Sequence, residues 1–488
     1  MLSEYRERFD QFHTEWRREE FLGRAEGRGR EDRSRLWSEH SDLFTPARIE
    51  ELRAVRAEIA AHRETERRSA ELLIAFAVEG ALQLRVREID REIARYEAAA
   101  RIAWKETAIG LAEADALLAQ ETEAAARADL FARRADVEAG AGDLYAERLA
   151  RWREGAREYG FADLIAMRRE LRGLDPAPLR GAAERLLSQT ESAFVAALAA
   201  MLPRETGRSI DDATEAELPL LRRFPRFDLH FPADRMAAIY RDLFADLGFK
   251  TGGQTQLSIG AAPRGAFFVP IRVPDEIRLG QPRNGGQQPY GEFLFAAGRA
   301  QHAAWTSRTL HPEFRRGGDA AVGRAWGLLL ENLLLDSSWL MNAFGFAENE
   351  QFRRGRGVVR WLDLRRDAAA LLHELDLHAG LLSHPAESWR ERLTDASRIR
   401  CLSHGHLRGL AFAPADRLRA AAFDAQLREY LRTRYGSRWW ASRKAGEMLI
   451  DLWNTGQRHT LDELARMIGL GDLDFDWLLA TADLAAPA

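Results

Sequence analysis

The chain has 488 residues, of which 46% are hydrophobic, enough for about three domains and a large core. Its 71 basic and 75 acidic residues leave a formal charge of −4, so bulk electrostatics favour neither nucleic acid nor an anionic membrane as partner. A single cysteine, Cys401, excludes an intrachain disulfide framework and a cysteine-based zinc site. Only Lys105, Lys250 and Lys444 are lysines; the other basic residues are arginine, as coding bias in a GC-rich genome produces, so arginine clusters are weak signals. The start, MLSEYRERFD, is charged and lacks a signal-type apolar stretch. The run AELLIAFAVEGALQL carries Glu79 and is too short to span a bilayer, so a soluble, cytoplasmic protein is expected.

Thr45-Pro46 reads as a helix start, with Thr as N-cap and Pro at the first helical position. No proline follows until Pro176, and apolar residues recur at three- and four-residue spacing, as in Ile49, Leu52, Val55 and Ile59, with a later run of Leu82, Leu84, Ile89, Ile93 and Tyr96. Strong helix formers at this period predict long helices, broken near Gly140–Gly142 and at Gly173–Pro178. Residues 1–178 are thus a long-helix lobe, and 179–488 form a second domain. That domain opens with a helix through Leu202, followed by Pro203; Pro219 and Pro225 bracket a short helix, and Arg235 to Leu247 reads as another. QLSIG, GAFFVPIRV and EIRL, between 256 and 279, have β character and are separated by Gly, Pro and Asn. After Gln288 the chain is helical to its end.

The segment Tyr290 to Leu340 carries the functional signal. It contains FAAGRAQH (295–302), then GDAAVGRAWGLLLENL from Gly318. These stretches resemble the HEAGHAQH motif and the following ligand-bearing helix of the thimet oligopeptidase and oligoendopeptidase F family of zinc peptidases. Such a site needs two His at i and i+4 on one helix face, a Glu between them as general base, and a Glu on the next helix. On that pattern Phe295 stands for the first His, Ala296 for the Glu, Arg299 for the second His and Arg324, 25 residues later, for the third ligand. Phe has no lone pair to donate, Ala no base, and Arg stays protonated without an acceptor. Ala297, Gly298, Ala300, Gln301, His302, Gly318, Asp319, Val322 and Glu331 keep the register. PRGAFFVPIRVPDEIRLGQPRNGG resembles the family's β segment that can pair with substrate backbone, and the C-terminal stretch from Leu427 resembles the end of its catalytic domain.

The resemblance implies a mainly α, oligopeptidase-like fold of two helical lobes around a deep cleft, with a small antiparallel β element beside the former active-site helix. It implies a pseudo-peptidase that has lost zinc and binds a peptide or a protein tail in the cleft. Arg299, His302, Arg324 and Arg417 are the candidate cleft residues, Arg417 loosely matching the family's oxyanion-stabilising Tyr; Tyr430 and Tyr435 could also line the cleft. Arg299 and Arg324 would share one space. Either Glu292, Asp319 or Glu331 neutralises them in an internal network, or they form a carboxylate-binding pocket. Two other readings stay open: a peptidase whose metal site is rebuilt from His302, Glu331 and a C-terminal His, and a helical scaffold without ligand.

Two further clusters are weaker. The His residues of HELDLH (373–378) are five apart, about 140° around a helix, which fits a solvated face better than a metal site. His404 and His406 near Cys401 lack an adjacent third ligand. No P-loop and no Gly-x-Ser-x-Gly elbow is present.

Overall fold

A computed structural model describes residues 2–26, 34–408 and 412–482. Helices carry most of these residues, and five short strands form two small sheets. The Thr45 hydroxyl caps the Pro46–Glu58 helix by accepting from the Arg48 amide at 3.3 Å. The predicted break at Gly140–Gly142 separates the helices Ala124–Ala139 and Gly142–Glu158. Gly173 ends the Leu164–Arg172 helix in the left-handed region, at φ 65°.

Two local expectations change. The stretch after Glu64–Ala99 is not all helix: β1 (Ile102–Trp104) and β2 (Thr107–Ile109) form an antiparallel hairpin. Ile102, Trp104 and Ile109 alternate inward, and the turn puts Lys105 at φ 52°. The period here is two over only a few residues, which the longer helical signal on either side hides. Pro203 does not end its helix either, which runs Leu179–Thr206 and stops at Gly207, at φ 74°.

The larger sheet has the order β3-β5-β4, from β3 (Leu257–Ala262), β4 (Phe267–Arg272) and β5 (Glu276–Pro282). It is mixed rather than wholly antiparallel: β4 pairs antiparallel with β5, while β3 runs parallel to β5. The chain passes from β3 through β4, so β5 returns in the middle and must run alongside β3. The edge carbonyls of Pro270 and Ile271 on β4 accept from the Arg316 guanidinium.

One apolar core runs from Tyr5 to Leu478, so packing crosses residue 178. Polar contacts cross it too, with Arg6 donating to Glu313 at 2.8 Å and Arg316 to Asp10 at 2.7 Å. By length and composition the Leu179–Thr206 helix could cross a membrane, yet its Phe194, Leu198 and Leu202 are fully buried in this core. The Gln287–Trp305 helix, here the cleft helix, crosses the Ala320–Glu331 helix, here the facing helix, at very short range. A Cβ on Gly298 would lie 2.1 Å from the Trp326 carbonyl oxygen, and one on Gly327 2.6 Å from the Phe295 ring. Only glycine permits that approach.

Candidate functional site: an arginine-lined cleft

The two crossing helices form one wall of a cavity of about 650 Å³. On the cleft helix Gln288, Glu292, Phe295, Arg299, His302 and Thr306 follow each other at three- and four-residue steps, so they share the face that lines it. The facing helix contributes Arg324, Leu328 and Glu331, and β4 contributes Phe267 and Phe268. Arg356, Arg360, Asp363 and Asp367 line it from the Glu350–His378 helix, and Arg417 from Ala413–Tyr435. His13, Arg17, Glu20 and Arg24 close it from the Leu2–Ala25 helix.

Phe295, Ala296, Arg299, His302, Arg324 and Arg417 therefore meet in one space. Tyr430 and Tyr435 do not. They lie on the same helix as Arg417, but 13 and 18 residues further on, roughly 20–27 Å along its axis, and Arg434 stacks on both rings.

The lining contains ten arginines and five acidic residues, so it is net cationic. Eight of the ten have partners. Arg417 donates to Asp367 at 2.7 Å, Arg356 to Glu331 at 2.9 Å, and Arg360 stands 3.6 Å from Asp424. Arg17 and Arg24 pair with Glu20, Arg222 with Asp363, Arg316 with Asp10, and Arg315 donates to the Val273 carbonyl. Arg299 and Arg324 have no acceptor among the described residues. Their guanidinium carbons each lie 5.8 Å from the centre of the Phe295 ring, and that of Arg299 lies 5.0 Å from Phe268. The Arg299 Nε is buried without an acceptor. Burial and the neighbouring Arg324 charge pull its pKa down to about 10, so it remains a cation at neutral pH. Burial, then Arg417, lowers Arg324 as well.

Neither arginine is hydrogen-bonded or ion-paired to Glu292, Asp319 or Glu331, although Asp367, Asp416 and Glu331 favour the Arg324 charge from further off. Glu331 serves Arg356, and Asp319 caps the facing helix through the Ala321 amide and pairs with Arg419 at 2.8 Å. Glu292 accepts from Gln288 at 3.0 Å; its side chain is open to the cavity, and the enclosing protein still raises its pKa. His302 is buried, donates from Nε2 to the Gly456 carbonyl at 3.0 Å, and has its pKa lowered to about 4 by burial, so it is neutral.

These residues do not fit a zinc ion. A phenyl ring, a methyl group and two guanidiniums offer it no donor. The rebuilt site fails to assemble, since His302 and Glu331 are engaged elsewhere, and no group of three His, Cys, Asp or Glu among the described residues could hold a metal.

The HELDLH face is not solvated. His373 and His378 are buried against Trp389 and Phe412, with ring centres 5.2 and 5.1 Å apart, because helices pack over both sides of this segment. The charged face Arg356, Arg360, Asp363 and Asp367 was not singled out from the sequence. Its steps of three and four residues were the available signal, masked by the abundance of arginine.

No protein-family model matches the chain, and neither does any curated protein. Solved structures do. One described as an oligoendopeptidase F is 16% identical, with a TM-score of 0.67 over 89% of this chain and 81% of the other. An M32 carboxypeptidase from Deinococcus radiodurans is 15% identical, with a TM-score of 0.62 over 99% of each chain. Metallocarboxypeptidase 1 from Trypanosoma cruzi is 13% identical, with a TM-score of 0.59 over 99% of this chain and 100% of that one. The chain has the mainly helical, cleft-bearing fold of these peptidases.

Proposed function

We propose that this protein is a catalytically inactive metallopeptidase homologue, without zinc, that binds a peptide or a protein tail in its cleft in the cytoplasm. One observation carries the reading: Arg299 and Arg324, from two crossing helices, converge on the Phe295 ring inside the cavity. These are the positions at which the motif resemblance puts zinc ligands. Two fixed cations there repel a dication and supply no lone pair to it. The cavity volume falls in the range that encloses small ligands and short peptides. Gly298 and Gly327 let the two helices that form one wall cross at close range.

Metal analysis tests the reading on protein purified without chelator, alongside hydrolysis of mixed-sequence fluorogenic peptides. The expected result is far less than one zinc per chain and no turnover, with peptides retained intact. One zinc per chain whose removal abolishes hydrolysis would overturn it.

A further inference from the structure

We infer that the Arg299–Arg324 pair is a clamp for a monoanionic carboxylate, that of a peptide C-terminus, with the adjoining residue lying against Phe295 and Phe268. This rests on reading the cleft as a peptide-binding site. The argument starts from satisfaction of charge. Eight arginines lining the cavity have an acidic or carbonyl partner, and the two whose guanidiniums both lie 5.8 Å from the centre of the Phe295 ring have none among the described residues. A buried guanidinium without acceptors is costly, and two together repel. The cost is relieved when a ligand brings the acceptors.

Geometry favours a carboxylate. Its two oxygens lie in a plane and match the fork of a guanidinium, so one carboxylate can bridge two forks. Arg299 approaches the facing helix closely, its Nε 4.0 Å from where a Cβ on Gly323 would stand, so nothing bulky separates it from the Arg324 turn. Phe268, Phe295 and Leu328 give the cavity an apolar surface beside the pair. That suits the last side chain of a peptide better than the water shell of a phosphate. Glu292 stands on the same wall two turns before Arg299, about 10 Å along the helix, and has no cationic partner among the described residues. It repels a second negative charge and can accept backbone N–H groups of a bound chain. A dianion is disfavoured, and a peptide running from the arginines toward Glu292 is favoured.

The test uses the full chain and two probes: a mixed-sequence tetrapeptide pool with free C-termini, and the same pool C-terminally amidated. Retention is read by mass spectrometry after ultrafiltration. Free acids should be retained at least tenfold over amides by the wild type. R299M/R324M should lose that preference without losing thermal stability, and R299K/R324K, which keeps the charge but not the fork, should lose most of it. The lysine pair decides the matter if the methionine pair does not fold. Equal retention of acids and amides, unchanged in the variants, would remove the clamp and leave peptide binding standing. Retention of neither pool would remove both. Stabilisation by inorganic phosphate alone, with no acid retained, would make the pair a general anion site and overturn the carboxylate assignment.

Discussion

Arg127 and Arg299 are both enclosed by protein, and the chain treats them in opposite ways. Arg127 is fully buried in the N-terminal half. Its guanidinium donates to Glu217 at 2.8 Å from Nε, to the Glu121 and Thr122 carbonyls at 3.0 and 3.1 Å from Nη1, and to the Thr206 carbonyl at 2.7 Å from Nη2. Arg365 is built alike, with the Ala396 and Leu187 carbonyls, the Thr190 hydroxyl and Glu191 around it. At these two structural arginines the guanidinium nitrogens are met by carboxylate, carbonyl or hydroxyl acceptors. Arg299 and Arg324, which line the cavity, have no hydrogen bond or ion pair with any described residue, whereas Arg315 and Arg360 each have a partner and leave a single buried nitrogen without a hydrogen bond. Protein interiors rarely leave such groups unmatched, so the contrast separates residues that hold the fold from residues held ready for something else.

The largest effect that sharpens this contrast comes from the satisfied side. Arg127→Met leaves the Glu217 carboxylate, 1% exposed, without its counterion. A loss of about 3–5 kcal/mol in urea denaturation is expected. A loss below about 1 kcal/mol would show that the buried network is not structural, and the contrast with Arg299 would fail.

Glu374 lies between the two cases. Its Oε1 accepts from the Phe412 amide at 2.9 Å, while Oε2 is buried without a partner among the described residues. Burial raises its pKa to about 7. The unfolded carboxyl ionises near 4.5, so between about pH 4.5 and 7 the unfolded state binds fewer protons than the folded one. Stability from this group is therefore full at low pH and falls as pH rises through that window. Glu374→Gln keeps the acceptor for Phe412 and removes the ionisation. It should stabilise the protein by about 1–3 kcal/mol at pH 8, with a smaller change at pH 5, by urea denaturation at both. An equal change at both would locate the effect in packing instead. His373 and His378, lowered to about 4 by burial, act the other way, losing stability as pH falls from 6.5 toward 4, which is why the comparison is made as a difference between variant and wild type.

The fold was legible wherever one period ran long. The helix start at Thr45, the breaks at Gly140 and Gly173 and all three strands of the larger sheet follow from caps, glycines and β-branched runs. The hairpin at Ile102–Ile109 was hidden because its six strand residues carry too little period to stand out between long helices. The site was half legible. Phe295, Arg299 and Arg324 could be found because their spacing reproduces a helix-to-helix motif, whereas Arg17, Glu20 and Phe268 reach the same cavity from other parts of the chain by tertiary packing alone. Partners were not legible at all: Glu292, Glu331 and Asp319 were near in sequence, yet Glu331 and Asp319 face other arginines. The burial of His373 and His378 depends likewise on which helices cover them, which periodicity along one helix does not encode.

Arg299→Met breaks the contrast from the unsatisfied side, with the opposite sign to Arg127→Met. It removes a desolvated, repelled charge and leaves an apolar side chain against Phe268 and Phe295. A gain of about 0.5–2 kcal/mol in thermal or urea denaturation is expected, as when a functional residue is replaced by one that only packs. A clear loss would mean that Arg299 holds the fold after all.

The smallest effect is expected at the tyrosines. Tyr430→Phe and Tyr435→Phe change hydroxyls that make no hydrogen bond among the described residues, on rings that pack against the core far from Arg417 along one helix. Each should alter stability by less than about 0.5 kcal/mol and leave retention of the tetrapeptide pools unchanged. Arg417→Met on the same helix should behave differently. It frees Asp367, which burial already holds above the usual carboxylate range and which also faces Arg324. A freed Asp367 carboxylate gives Arg324 a counterion inside the protein, so the variant should weaken retention of free-acid peptides without touching the clamp directly. Loss of retention in Tyr430→Phe, with Arg417→Met unaffected, would move the binding site along the helix and away from the arginine pair.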